Sequence, residues 1–183
     1  MGEEMLQLEE TALVIVDIQG KLATLMHEKD KFFENTIKAV KCARILKMPI
    51  LWNEQLPDKL GRTIPELREI LNDRQPFIKD TFSCCGNHDF TQKLLSLDRN
   101  QIILCGMETH VCVYQTAIDL LQSGYEVYIL ADAVSSRTLD NKQIALVAMK
   151  DAGARISSVE MMVFEILQAA RGNKFKEIIR ILK

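Results

Sequence analysis

Gly-Met-Glu-Thr-His-Val-Cys-Val, residues 106–113, is the stretch on which the reading of this chain turns. The residues before it, 101–104, are apolar and β-prone, and residues 117–121 after it carry apolar side chains at helical spacing. Cys112 is therefore placed at the end of a strand, just inside the start of a helix. Unpaired N–H groups and the helix dipole at such a point favour a thiolate and any oxyanion formed beside it.

Working outward, short apolar runs alternate with amphipathic stretches. Strands are predicted at 12–16, 50–52, 77–82, 102–105, 127–131 and 155–159. Between the first two, Ile37, Val40, Ala43 and Leu46 give a helical stripe with Lys41 and Arg44 on its wet side, stopped by Pro49. Further helices are expected around Phe90–Leu94–Leu97, from the thiol to Gly124, from Asp140 toward Gly153, and at 161–170 and 175–182. This rhythm predicts an α/β fold: a three-layer, doubly wound, Rossmann-like sheet of six mainly parallel strands with helices on both faces. Residues 1–183 suit one domain, and a chain of this length buries enough surface to need no disulfide staple. Residues 56–63 form the main irregular insertion, after a strand end where ligands bind in such sheets.

Composition excludes more than it selects. The formal net charge is −2, with basic and acidic residues interspersed, so nucleic-acid and membrane binding are not expected. Five cysteines and three scattered histidines show no metal-ligand spacing, so no metal is expected. Residues 1–10 are acidic and do not resemble a signal peptide, and no apolar run approaches bilayer length. A soluble protein of a reducing, cytoplasmic compartment is the expectation.

Two more polar residues close apolar runs on the same predicted sheet edge as Cys112. Asp17 follows the run 12–16, and Lys79 ends the run 77–78. A carboxylate there can take a thiol proton and return it to a leaving group, and an ammonium can hold that carboxylate ionised. Each residue alone has a plainer reading: Asp17 as a loop cap, Lys79 as a strand lysine facing solvent, Cys112 as a small buried hydrophobe. Their coincidence at three strand ends favours a nucleophilic site. Gln19, Trp52 and Phe82 flank it as candidate substrate-binding residues, with core packing equally open to the two aromatics. His110 lies two residues before the thiol but need not face it.

Residues 12–19 (Ala-Leu-Val-Ile-Val-Asp-Ile-Gln), 78–82 (Ile-Lys-Asp-Thr-Phe) and 106–113 together resemble, in order and spacing, the signature blocks of the isochorismatase-like cysteine hydrolases. Asn53-Glu54-Gln55, the stretch 60–67 and Ser135-Ser136-Arg137 are similar to the isochorismatase domain-containing subgroup. The resemblance implies a catalytic triad of Asp17, Lys79 and Cys112. It implies a cis peptide bond, placed between Met107 and Glu108, and an oxyanion hole from the backbone N–H groups of Glu108 and Cys112. It also implies a homo-oligomer. Metal-binding nicotinamidases of the family carry Asp-x-His where this chain has Asn53-Glu54-Gln55, so no metal or other cofactor is expected. Retention of Cys112 favours acyl chemistry at a C–N bond. The expected function is a metal-independent cysteine hydrolase cleaving a small amide-like substrate through a thioester at Cys112. The alternative is a non-catalytic or regulatory small-molecule-binding protein on the same fold.

Overall fold

The computed structural model describes residues 5–183. The acidic N-terminal stretch read above lies partly outside them, at Met1, Gly2, Glu3 and Glu4. Six strands form one sheet: β1 (Thr11–Val16), β2 (Ile50–Gln55), β3 (Phe77–Lys79), β4 (Gln101–Met107), β5 (Glu126–Ser135) and β6 (Arg155–Ser157). Their spatial order is β3-β2-β1-β4-β5-β6 and every pairing is parallel, so the fold class is as the sequence predicts.

Why β1 lies at the centre is visible in its composition. All six residues are buried, with Leu13 and Ile15 in one apolar cluster and Ala12, Val14 and Val16 in another. A strand whose alternate side chains enter two cores must have helices on both faces. On one face pack α2 (Lys29–Leu46), α4 (Pro65–Ile70), α8 (Val159–Leu167) and α9 (Asn173–Leu182), and on the other α5 (His88–Ser96), α6 (Tyr114–Gln122) and α7 (Leu139–Asp151). Two four-residue helices, α1 (Gly20–Ala23) and α3 (Pro57–Leu60), lie in the loops after β1 and β2.

Several boundaries differ from the sequence reading, each for a local reason. Strand β2 runs three residues past its apolar run, because Asn53, Glu54 and Gln55 pair with β1 or β3 although they are polar. The sixth strand stops at Ser157 because the Ser158 hydroxyl accepts from Met161 N and starts α8 two residues before the expected position. Thr138, not Asp140, caps α7, its hydroxyl accepting from Asn141 N. The expected irregular loop 56–63 holds α3, begun by Pro57 at its first position. Strand β5 outruns its apolar core: five residues advance from Ile129 to Val134 against two from Leu104 to Gly106, a bulge that bends its carboxyl end. Gly106 is required at that bend, since its φ is +151° and a Cβ there would overlap Val16 O of the adjacent strand.

The direction of winding reverses between β1 and β4. In an open parallel sheet that switch leaves a crevice beyond the carboxyl ends of the two strands. Among the described residues no helix is long and apolar enough to cross a membrane.

Candidate active site

Asp17 is the first residue after β1, Lys79 the last of β3, and Cys112 lies in the turn after β4. Parallel pairing sets all three at the carboxyl edge, around the switch point. Asp17 leaves β1 with a left-handed φ of 53°, which carboxylate and amide residues tolerate better than most. The thiol does not sit in an ordinary first helical turn. Residues Thr109–Val113 form a wider π-helical turn, entered through Glu108 at φ 54°, ψ 60°.

Among the described residues every peptide bond is trans. The bond between Met107 and Glu108 is therefore trans, contrary to the expected cis geometry. The left-handed backbone of Glu108 accomplishes the turn instead. The side chain of Glu108 is tied outward, accepting from Arg137 Nε at 3.0 Å. His110 is committed to the same network, its Nδ1 3.1 Å from Ser136 Oγ and its Nε2 3.5 Å from Glu108 Oε2. It does not pair with Cys112.

Lys79 Nζ donates to Asp17 Oδ2 at 2.6 Å, to Thr81 O and Phe82 O at 2.9 Å each, and more weakly to Gln55 Oε1 at 3.4 Å. Four acceptors for three hydrogens hold the amino group in place. The two charged side chains are 0% and 4% exposed, so this is a buried ion pair. Asp17 Oδ1 has no hydrogen-bond partner. The other buried side-chain atoms without a hydrogen bond among the described residues are Asn53 Oδ1, Thr109 Oγ1 and Glu108 Oε2, the last facing His110 Nε2 at 3.5 Å, all toward the carboxyl ends of β2 and β4.

The Cys112 thiol is buried and donates to Gln55 Oε1 at 3.4 Å. Burial first, and then the neighbouring Asp17 carboxylate, push it up to about 12, while Lys79 pulls the other way. Desolvation and a like charge thus act against the thiolate expected at a helix start. Burial also raises the Asp17 carboxyl above its ordinary range, opposed by Lys79. The thiol, raised by burial, therefore lies beside a carboxyl that burial makes more basic than usual. Thr116 braces the turn from below, its hydroxyl donating to Cys112 O at 2.7 Å and accepting from Cys84 N at 3.0 Å.

The flanking candidates separate. Phe82 stays at the site, half exposed, with its carbonyl on Lys79. Gln19 is sealed, its amide spent on Gln55 N, Gln55 O and Gly61 O. It clamps β2 to the following loop and is not open to a substrate. Trp52 belongs to the core on the other face of the sheet, its Nε1 donating to Thr63 Oγ1 at 2.7 Å. There it lines a separate cleft of about 620 Å³ with Glu54, Arg62 and Arg68. The residue to which sequence reasoning gave no catalytic or binding role is Gln55. It ends β2 on the same edge as Asp17 and Lys79, but the apolar run that marked the strand stops at Trp52 and concealed it.

The residues at the family's metal position do not fit a metal. Asn53 Nδ2 donates to Ile15 O at 3.1 Å and Gln55 Oε1 faces Lys79 and Cys112. No group of three or more His, Cys, Asp or Glu side chains capable of holding an ion occurs among the described residues.

The family model for the isochorismatase domain matches residues 11–161. Isochorismatase domain-containing protein 2 of Danio rerio is 34% identical over 173 residues, which cover 94% of this chain and 86% of that protein. The solved structure of the MAR1 ribonuclease of Caenorhabditis elegans superposes with a TM-score of 0.91 at 33% identity, covering 98% of this chain and 92% of that one. The YcaC gene product of Escherichia coli, an octameric hydrolase of unknown specificity, shares the fold with a TM-score of 0.94 at 22% identity, over 99% of this chain and 92% of its own. By a match over most of its length in sequence and in fold, this chain belongs to the isochorismatase family.

Proposed function

We propose that residues 1–183 act as one hydrolase domain, a metal-independent cysteine hydrolase that cleaves a C–N bond of a small amide-like substrate through a thioester at Cys112. The observation that carries this reading is the Asp17 carboxyl beside the Cys112 thiol, one oxygen held by Lys79 and the other without a hydrogen bond in the structure. Family membership supports hydrolysis.

In this mechanism Asp17 Oδ1 takes the thiol proton as Sγ attacks the substrate carbonyl carbon. The developing oxyanion is held by the backbone N–H groups of Glu108 and Cys112, a kind of contact worth roughly 2.7–4 kcal/mol per donor in other enzymes. The intermediate collapses, the C–N bond breaks, and the amine leaves with the proton from Asp17. Water then attacks the thioester and gives a proton to Asp17. The second intermediate expels the Cys112 sulfur, which recovers that proton as the acid departs. Lys79 keeps Asp17 ionised between these transfers.

The net charge of −2 favours a small molecule over nucleic acid as substrate. The ribonuclease name belongs to the C. elegans protein. A homo-oligomer is part of the reading, supported by the exposed Met161 and Phe164 on α8 and by the octameric E. coli relative. A cytoplasmic setting is supported by five free cysteines.

The test is a panel of small primary amides with acid-quenched intact mass spectrometry. An acyl adduct on Cys112 that forms and decays in the wild type, and is absent in Cys112→Ala, is the expected result. Full amide turnover by Cys112→Ala refutes the mechanism.

A further inference from the structure

Gln55 contacts both the lysine and the thiol, and its orientation is fixed by chemistry. The Lys79 amino group and the Cys112 thiol both approach the same carboxamide atom, at 3.4 Å each. An ammonium has only donors, so that atom must be the oxygen. The backbone cannot swivel to relax this choice, because Gln19 grips Gln55 N at 2.7 Å and Gln55 O at 2.8 Å. The carboxamide nitrogen is left with no hydrogen-bond partner among the described residues, and it is not one of the sealed, unpartnered atoms. Gln55 is 9% exposed, so its two N–H donors are not sealed, and they sit on the same carboxamide whose oxygen meets the thiol. They stand on the β2 side of Asp17, whereas the turn carrying Glu108 and Cys112 stands on the β4 side.

Resting on the hydrolase reading above, we infer that Gln55 is a specificity-determining residue: its free N–H pair selects small amides that carry a second acceptor oxygen beyond the carbonyl under attack. The attacked carbonyl oxygen goes to the β4 side. A second carbonyl on the same small molecule then faces Gln55, across the thiol. A monoamide leaves these donors unbonded when it displaces water, and is rejected on that ground.

The experiment measures protection of Cys112 from iodoacetamide by malonamide, with two carboxamides, and by propionamide, with one. The modified peptide is followed by mass spectrometry at fixed pH. Two variants separate the roles of the side chain. Gln55→Met removes both donor and acceptor. Gln55→Glu keeps an oxygen for Lys79 and Cys112, loses the N–H pair and adds a negative charge; because the readout is a ratio between two neutral amides, that charge acts on both alike. The expected result is protection of the wild type by malonamide at roughly tenfold lower concentration than by propionamide, the value of one net hydrogen bond. That ratio falls to about one in both variants. A preference for malonamide that survives in Gln55→Glu, or equal or absent protection in the wild type, overturns the inference. Failure of the hydrolase reading is seen separately, as the absence of an acyl adduct on Cys112, and does not move this ratio.

Discussion

Replacing Lys79 with methionine keeps the side chain out to its ε carbon and removes the charged amino group, leaving Asp17 alone in the core. The two groups are 2.6 Å apart and almost without solvent contact. At an effective dielectric of about 20, their attraction is about 6 kcal/mol. Desolvation of both charges offsets much of that in the intact protein, so the measurable quantity is the loss on removing one partner, roughly 3–5 kcal/mol for a buried pair. For a chain of this size that corresponds to a fall in Tm of roughly 6–20 °C. The loss must also depend on pH. Burial raises the Asp17 carboxyl and Lys79 restrains it, so Lys79→Met raises it further. A carboxyl raised in the folded state is protonated there while its unfolded counterpart, near 3.9, has already ionised. Stability then falls as pH rises between the two values, and falls further in the variant. Urea unfolding of both proteins at pH 5 and pH 8 is the assay. A loss under about 1 kcal/mol at pH 8, or one equal at both pH values, refutes the buried charge pair.

The thiol gives a prediction with opposed signs. Alkylation of Cys112 by iodoacetamide should keep rising beyond pH 9 in the wild type, because the group is pushed up to about 12. Asp17→Asn removes a charge that raises the thiol, so alkylation at pH 8 should increase while amide turnover disappears; a wild-type profile that levels off below pH 8 contradicts both statements. Thr116→Val deletes the hydroxyl bonded to Cys112 O and Cys84 N, and should cost about 1–3 kcal/mol in urea unfolding. No measurable loss would mean that the turn is not braced there.

Asp17 and Lys79 closing apolar runs, with Cys112 at a strand-to-helix junction, were enough to place the three on one edge. That inference works because side-chain burial in a parallel sheet demands continuous apolar strands, and the first polar residue after each marks where the strand leaves the core. The same logic failed at β2. There Asn53, Glu54 and Gln55 continue the strand although polar, since their side chains find partners in Ile15 O, Thr63 N and the Lys79–Cys112 pair. Sequence pattern carries no sign of such partners. It also left Trp52 open between the site and the core, because a residue near a strand end has two faces to choose from, and the structure puts it in the core on the face away from Cys112.

What the sequence by itself determined was the layer order of the fold and the chemistry available at its carboxyl edge, through apolar periodicity and residue type. Tertiary structure alone decided how those groups behave. Whether Cys112 is a thiolate or a thiol depends on desolvation and on the distance to Asp17, and whether Gln19 meets substrate depends on Gly61 and Gln55 taking its amide first. These are properties of three-dimensional neighbours far apart in the chain, and electrostatics and hydrogen bonding act through space, not along sequence.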